Sequence, residues 1–293
     1  MKRILLTNDD GVSAPGLLAM AQALRKMEGA QVTVLAPDKN WSACGHNKTL
    51  GRPLRLRQTT LADGSLAWSS DGAPSDCVAL ALLGALEQDF DFVVSGINPN
   101  ANVGLDVTYS GTVTAAMEAG IGGLPGFAVS IDAPEFHRGD LDYVAAAQAA
   151  AALIEKLMEK EEGKQAGSLL RVAKAERTHA SEGAEVADSE RAAAADGYKA
   201  ASIWNINIPY RPEGNYEGVR FTRQGIRLYH DALEKRIDPR GAPYYWLGGD
   251  PPSGVVEEGT DYGAIKQGFI SVTPLHMSMT DYEKLDGLGQ TLL

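Results

Sequence analysis

The 293-residue sequence predicts an α/β protein with a mostly parallel sheet. Short apolar runs typical of buried strands alternate with segments of helical periodicity. The first unit is the strand Ile4-Leu5-Leu6, a helix that begins near Pro15, and the strand 32–36, an order that favours a parallel βαβ arrangement. Polar loops follow these strands, and ligands of open α/β sheets bind beyond the carboxyl ends of the strands.

The elements of the first half are predicted from local pattern. Pro15 suits a first helical turn, and apolar residues recur at helical spacing as far as about Arg25. The other elements expected here are a β-hairpin over 53–70 with its turn at Asp63-Gly64, a helix from Asp76 to about Leu86 with Ser75 or Asp76 as N-cap, and a strand over 92–95.

The second half continues the alternation with two interruptions. Lys160 to about Ala200 is rich in Glu, Lys and Ala without an apolar stripe, which predicts a mobile charged insertion over 160–200. Residues 218–260 are β-like and aromatic, so we expect a projecting β excursion that packs against a second subunit. The remaining expected elements are helices over 113–119, 143–159 and 261–268 and strands over 127–130, 202–207 and 269–272.

Composition excludes some classes of function. The formal charge of −11 argues against a protein that coats polymeric nucleic acid, which requires a basic face. No apolar run approaches the roughly 18 residues that cross a bilayer, and the first strand begins at once, so we expect no membrane association and a cytoplasmic location. Cys44 and Cys77 have neither the number nor the spacing of a disulfide framework or a metal site.

Oxygen-bearing side chains follow the predicted parallel strands. Asp9 and Asp10 come after the first strand, Ser42 lies in the loop after the second, and Asn98 follows the third. Adjacent carboxylates repel each other unless a cation or a shared proton neutralises them, although Asp-Asp-Gly is also a common turn. Hard divalent cations such as Mg²⁺ and Mn²⁺ prefer oxygen ligands, so the pattern points to a metal site at this edge of the sheet.

A second feature at the same edge is the segment Ser110-Gly111-Thr112, which precedes a predicted helix. The N-terminus of a helix presents unpaired backbone N–H groups and the positive end of the helix dipole, which favours phosphate. Simple capping is the commoner use of Ser and Thr at this position.

These residues resemble a known family. Residues 5–11 (Leu-Leu-Thr-Asn-Asp-Asp-Gly), 95–98 (Ser-Gly-Ile-Asn) and 109–113 (Tyr-Ser-Gly-Thr-Val) are similar to motifs of the SurE family (survival protein E), which are metal-dependent nucleoside monophosphate phosphatases. Segments around 36–46, 71–78, 205–209 and 260–275 extend the resemblance in order over most of the chain.

The resemblance implies that Asp9, Asp10, Ser42 and Asn98 hold one divalent metal ion per subunit, Mg²⁺ or Mn²⁺. It implies a single domain over 1–293 with a Rossmann-like three-layer core and a C-terminal β-hairpin excursion used in a homodimer or homotetramer. The implied reaction is hydrolysis of nucleoside 5′- and 3′-monophosphates to nucleoside and phosphate, with short polyphosphate as a further candidate substrate. Asp9 and Asp10 would be the catalytic pair.

The chain departs from the family pattern in two places. Asn100 stands where the family usually has glycine. If that glycine adopts a positive φ, Asn is the residue that best replaces it. The insertion over 160–200 is longer than the resemblance leads us to expect, and the sequence assigns it no function.

Several other residues have two interpretations. His46 either contacts phosphate or acts as general acid, or it structures its loop; Asn102 either reaches substrate or braces its loop. With Ser110, Gly111 and Thr112, these two complete the candidate substrate-binding set. The aromatic run Tyr244-Tyr245-Trp246 favours a core or subunit contact over stacking on a base.

Rival functions fit the sequence less well. A non-catalytic phospho-acceptor module of the receiver type also binds Mg²⁺ through an acid pair, but it is much shorter and needs an acceptor Asp where this chain has Asn98. A nicotinamide oxidoreductase requires a Gly-x-Gly-x-x-Gly turn, and none follows the first strand. Direct attack on phosphorus by Asp9 or Asp10 conflicts with their use as metal ligands. We therefore expect a divalent-metal phosphatase in which a metal-held water attacks phosphorus.

Overall fold

A computed structural model describes residues 1–134, 137–161 and 201–288. Most of the predicted insertion over 160–200 lies outside these residues. The strands are β1 (Lys2–Thr7), β2 (Ala30–Pro37), β3 (Leu56–Thr60), β4 (Leu66–Ser70), β5 (Phe92–Asn98), β6 (Gly126–Asp132), β7 (Ile203–Pro209), β8 (Val219–Phe221), β9 (Arg227–Ile237), β10 (Pro243–Gly254) and β11 (Ile270–Leu275). The α-helices are α1 (Pro15–Leu24), α2 (Pro74–Leu82), α3 (Gly111–Ile121), α4 (Val144–Glu161), α5 (Asp261–Lys266) and α6 (Tyr282–Leu288), and a 3₁₀ turn spans Gly104–Thr108.

The predicted α/β class with a mostly parallel sheet is confirmed. Nine strands form one sheet in the order β3-β4-β2-β1-β5-β6-β7-β11-β8. Neighbours are parallel from β4 to β7, and the antiparallel pairs β3–β4 and β7–β11 lie on either side of this central part. The carboxyl ends of β1, β2 and β5 therefore meet at one edge of the sheet, as the sequence predicts.

The three layers follow from the alternation of side chains along β1. Ile4 and Leu6 pack into a buried cluster that includes Leu17 of α1 and Ile154 of α4. Leu5 points to the opposite face, into the cluster that contains Val78 of α2. A strand that buries both faces is typical of a parallel sheet between two helical layers. None of the described helices is long and apolar enough to span a membrane.

The predicted start and end of α2 are wrong. The helix begins at Pro74 with Ala73 as N-cap, and the Asp76 carboxylate, three residues into the helix, accepts the Ala73 N–H at 2.9 Å. Proline favours the first helical position, and an acidic residue at the third position accepts the N–H of the N-cap, so both signals place the N-cap at Ala73, two residues before Ser75. The helix ends at Leu82, because Gly84 turns the chain with φ +95°.

The predicted excursion contains a separate two-stranded antiparallel sheet of β9 and β10, hereafter the hairpin. Most of its side chains are exposed, including Trp246 (60%) and Leu247 (87%). Its use as a subunit interface stays a prediction. The helix α6 has no counterpart among the predicted elements.

Candidate active site

The turn after β1 is held by the side chain of Asn8. Asn8 Nδ2 donates to the Gly11 carbonyl at 3.0 Å, and Asn8 Oδ1 accepts the Gly11 N–H at 3.2 Å. Gly11 has φ +101°, and a Cβ there would lie 3.2 Å from the backbone of Lys39, so the turn requires glycine. This arrangement fixes Asp9 and Asp10 at the carboxyl end of β1.

Asp9 lies against the start of α3. The residue is 4% exposed, and its Oδ1 accepts the Thr112 hydroxyl at 2.5 Å. Burial raises the pKa of Asp9 above its ordinary value, although the Thr112 hydroxyl and the backbone N–H groups at the start of α3 lower it in part. A Cβ on Gly111 would lie 2.8 Å from Asp9 Cβ, so glycine permits this close approach.

Asp10 is the second carboxylate of the pair. Burial, and then repulsion from Asp9, raises the pKa of Asp10 to about 7. Asn40 Nδ2 donates to Asp10 Oδ1 at 3.3 Å, but in the described part of the chain no Lys, Arg or His forms an ion pair with either carboxylate. Within the described residues, nothing cationic offsets the pair, so a bound cation or a proton would neutralise it.

The loop that carries Ser42 is tied to the acid turn and to α3. Trp41 N–H donates to the Asp9 carbonyl at 2.7 Å, and Ser42 N–H donates to Asn40 Oδ1 at 2.7 Å. Further along, Gly45 N–H donates to the Tyr109 carbonyl at 2.9 Å. Ser42 is exposed, so its hydroxyl is accessible to a ligand.

His46 anchors the same loop. His46 Nε2 lies 2.9 Å from Glu118 Oε2 of α3, and Lys48 Nζ bonds the other oxygen of Glu118. Burial raises the pKa of the Glu118 carboxyl, but these hydrogen bonds outweigh burial and keep it below its ordinary value. The geometry gives His46 the loop-structuring contact that the sequence left as one of two alternatives; its substrate contact stays a prediction.

Asn98 is the last residue of β5. Its Nδ2 donates to the Asn100 carbonyl at 2.5 Å, and within the described residues Oδ1 has no hydrogen-bond partner and is available to a cation. The non-glycine residues with positive φ in the described chain are Ala43 and Glu87, so Asn100 does not replace a glycine in that conformation here.

Asn102 is held by a buried amide network that the sequence did not predict. Its N–H donates to Asn207 Oδ1 at 2.7 Å, its carbonyl accepts from Asn205 and Asn207, and its own Nδ2 donates to Ser130 Oγ at 2.8 Å. The signal that could have revealed this network is the pair of Asn residues that alternates with Ile in β7. Asn102 thus braces its loop, and its substrate contact also stays a prediction.

A cavity of about 730 Å³ lies over this edge of the sheet. Five sequence-predicted residues line it: Asp9, Ser42, Asn98, Asn102 and Ser110. Asp10, His46, Gly111 and Thr112 are not among its lining residues. Another part of its wall, which sequence reasoning missed, includes Asp106, Tyr109, Arg227, Tyr229 and Lys266. The volume suits an organic ligand larger than a phosphate ion.

The donor set fits a hard divalent cation. The described residues contain no group of three or more His, Cys, Asp or Glu side chains that could hold a metal ion. Two carboxylates with the neutral oxygens of Ser42 and Asn98 are instead the kind of set to which Mg²⁺ binds while it keeps several waters.

The fold is that of a Rossmann-like α/β protein, and it places a cavity lined by acidic and other oxygen-bearing side chains at the carboxyl edge of the sheet. The family model described as Survival protein SurE matches residues 4–231, and the chain belongs to this family. The resemblance seen in the sequence is confirmed.

Individual relatives match almost the whole chain. The chain is 41% identical over 285 residues to 5′-nucleotidase SurE of Chloroflexus aggregans, with 97% of each chain covered. It is 39% identical over 289 residues to 5′-nucleotidase SurE of Herpetosiphon aurantiacus, covering 99% of this chain and 98% of the relative. The crystal structure of the SurE protein from Aquifex aeolicus superposes with a TM-score of 0.70 at 33% identity, with 98% of each chain covered. None of these matches supports the receiver-type alternative.

Proposed function

We infer that the protein is a phosphoric monoester hydrolase that cleaves nucleoside monophosphates to nucleoside and phosphate. The observation that carries this inference is the match, over nearly the whole chain, to relatives named 5′-nucleotidase SurE. The acid pair beside a cavity large enough for a nucleoside supports it. The inference covers 5′- and 3′-monophosphates, with short polyphosphate as a further substrate to test.

We propose that Asp9, Asp10, Ser42 and Asn98 hold one divalent cation per subunit, Mg²⁺ or Mn²⁺. When bound, such a cation polarises a phosphoryl oxygen and lowers the pKa of a water ligand. Asp9 is kept in one orientation by the Thr112 hydroxyl and by the start of α3. Fixed second-sphere contacts of this kind orient the ligands of a metal.

The same proposal assigns the phosphoryl group to the space beside Ser110 and Asn102. Ser110 Oγ already accepts the Val113 N–H at 3.1 Å, which leaves its O–H proton available for a phosphate oxygen. Gly111 and Thr112 act here by holding Asp9, and His46 by anchoring the Ser42 loop to Glu118.

The hairpin is the surface that we assign to assembly. Its exposed apolar side chains, Leu233, Ile237, Trp246 and Leu247 among them, favour a homodimer or homotetramer. We retain the cytoplasm as the proposed location.

The test is phosphate release from a panel of nucleoside monophosphates with Mg²⁺ or Mn²⁺. We expect release that EDTA abolishes and that Asp9→Asn reduces by at least about 100-fold. Asp140→Asn, the same change at an exposed aspartate outside the cavity lining, is the matched control and keeps full activity. Folded, metal-loaded protein that releases no phosphate from any nucleotide would contradict the inference. A separate reaction with short polyphosphate tests that substrate alone.

A further inference from the structure

We propose that Asp106 is a positioning residue, which sets the start of α3 by tying it to the root of the hairpin, defined as Arg227 and Tyr229. The proposal rests on the nucleotidase function inferred above, for which the start of α3 borders the reacting phosphoryl group. The contact links the candidate active site to the root of the hairpin, which is far away in sequence.

The backbone of Asp106 controls the entry into α3. Its carbonyl accepts the N–H of Tyr109 at 3.0 Å and the N–H of Ser110 at 3.1 Å. Ser110 is the N-cap of α3 and lines the cavity. The Tyr109 carbonyl in turn accepts the N–H of Gly45 from the Ser42 loop. The Asp106 carbonyl therefore holds the turn to which both the start of α3 and the Ser42 loop are attached.

The side chain of Asp106 is held from the other direction. The Tyr229 hydroxyl donates to Asp106 Oδ1, and Arg227 Nε lies 3.3 Å from Asp106 Oδ2. The side chains of Asp106 and Arg227 are only 15% and 14% exposed, so solvent screens this ion pair less than a surface pair. Burial and the nearby Asp106 raise the pKa of Tyr229, which therefore keeps its proton and remains a donor at neutral pH.

A second set of contacts holds the beginning of the same 3₁₀ turn. Asp261 accepts the N–H of Gly104 at 2.9 Å and the N–H of Gly225 at 2.7 Å, and Gln224 Nε2 donates to the Gly104 carbonyl at 2.7 Å. A Cβ on Gly104 would lie 2.5 Å from the Gly225 carbonyl oxygen, so the two segments are in close contact. The turn is thus fixed at Gly104 by hydrogen bonds and close packing, and the Asp106 side chain adds a second attachment in the middle of the same turn.

Beyond its root the hairpin is almost entirely exposed, from His230 to Asp250. The position of the hairpin relative to the cavity therefore depends on the root contacts and not on packing along the hairpin. Arg227 and Tyr229 also line the cavity, so direct contact with substrate is the competing role for them. Kinetics separate the two roles, because a positioning residue affects kcat, whereas a lost ground-state contact raises KM.

The decisive variant is Tyr229→Phe, which removes one hydroxyl and keeps the ring. We expect kcat for a nucleoside monophosphate to fall about tenfold with KM unchanged within about twofold, because small displacements of reacting groups are costly. Asp106→Asn should have a similar effect, and the double variant should be no worse than either single one. Tyr216→Phe is the matched control, since the Tyr216 hydroxyl has no hydrogen-bond partner among the described residues and Tyr216 lies outside both the cavity lining and the hairpin; it should match the wild type.

Hydrogen exchange gives a second readout that does not need activity. Opening of the turn should speed exchange of the Tyr109 and Ser110 amides about tenfold in Tyr229→Phe, with the melting temperature within a few degrees of wild type. Unchanged kcat and unchanged exchange in Tyr229→Phe would overturn the proposal, as would a rise in KM alone. An inactive wild type whose variants still show faster exchange would instead refute the proposed function and leave the positioning role standing.

Discussion

Asp9 and Asp10 are adjacent carboxylates that share one turn without a cationic side chain from the described chain to offset them. The sequence predicts their position, because Asp-Asp-Gly directly follows an apolar strand. It does not reveal that the Thr112 hydroxyl holds Asp9, since these residues lie 103 positions apart. A local sequence pattern carries information about neighbouring residues only, whereas this contact depends on how α3 packs against β5 and β6.

The raised pKa of Asp10 leads to a pH-dependent prediction for the metal-free protein. In the unfolded chain Asp10 loses its proton near pH 4, but in the folded protein it does so only near pH 7. Between these values the folded state binds the extra proton, so stability falls as the pH rises and the full penalty applies above pH 7. Asp10→Asn should remove this penalty. We expect the variant to be more stable than wild type by up to about 4 kcal/mol at pH 8 in EDTA, with the difference vanishing near pH 4.

Thermal unfolding between pH 4 and pH 8 in EDTA measures this effect, with Asp140→Asn as control. The same variant should lose phosphate release, so that stability and activity change in opposite directions. A variant less stable than wild type at pH 8 would show that Asp10 is stabilised in the fold by contacts other than a bound cation.

At the scale of elements, the loop after β2 is positioned by α3. Glu118 receives hydrogen bonds from His46 and Lys48, and Ser42 lies a few residues earlier in the same loop. The sequence identifies this loop as a site loop because it is long and polar between two predicted elements. It does not identify Glu118, which falls within a helix and looks like any acidic helical residue.

Glu118→Gln should loosen the loop, because a neutral amide replaces a carboxylate that accepts two charge-assisted hydrogen bonds. We expect the Mg²⁺ or Mn²⁺ concentration for half-maximal phosphate release to rise about tenfold, as for other residues that orient metal ligands. Glu155→Gln, on α4 and outside the cavity lining, should leave this concentration unchanged. Equal metal dependence in both variants would show that the loop does not need this anchor.

At the scale of the whole molecule, the parallel sheet was predictable and the second wall of the cavity was not. The order of strands and helices follows from periodicity, and the common edge of the strands follows from their being parallel. Arg227 and Tyr229 reach the cavity from a segment more than a hundred residues beyond Asp106, where the sequence indicated only an aromatic β excursion. Long-range contacts of single polar residues leave no periodic signal.

The hairpin's proposed role in assembly is tested by changing its exposed apolar side chains. The double substitution Trp246→Ser and Leu247→Ser should lower the mass of the particle measured by light scattering, because it removes apolar area that a subunit contact would bury. We expect kcat per subunit to change less than about twofold, since the contacts to Asp106 belong to the same chain. An unchanged mass would place the interface elsewhere.

The hairpin is also long relative to its attachment. From Arg227 at the root to Ile237, the ten residue spacings of β9, at about 3.3 Å each, extend about 33 Å. A sideways displacement of about 3 Å at the tip then corresponds to a rotation of only about 5° about the root. Such a rotation moves an atom about 4 Å from the root by about 0.3 Å. This is less than the roughly 0.5 Å tolerance of a preorganised site. Bending of the distal strands is thus attenuated about tenfold before it reaches Asp106. The geometry lets the outer part of the hairpin vary in shape, or in what it binds, while the chemistry at the sheet edge stays the same.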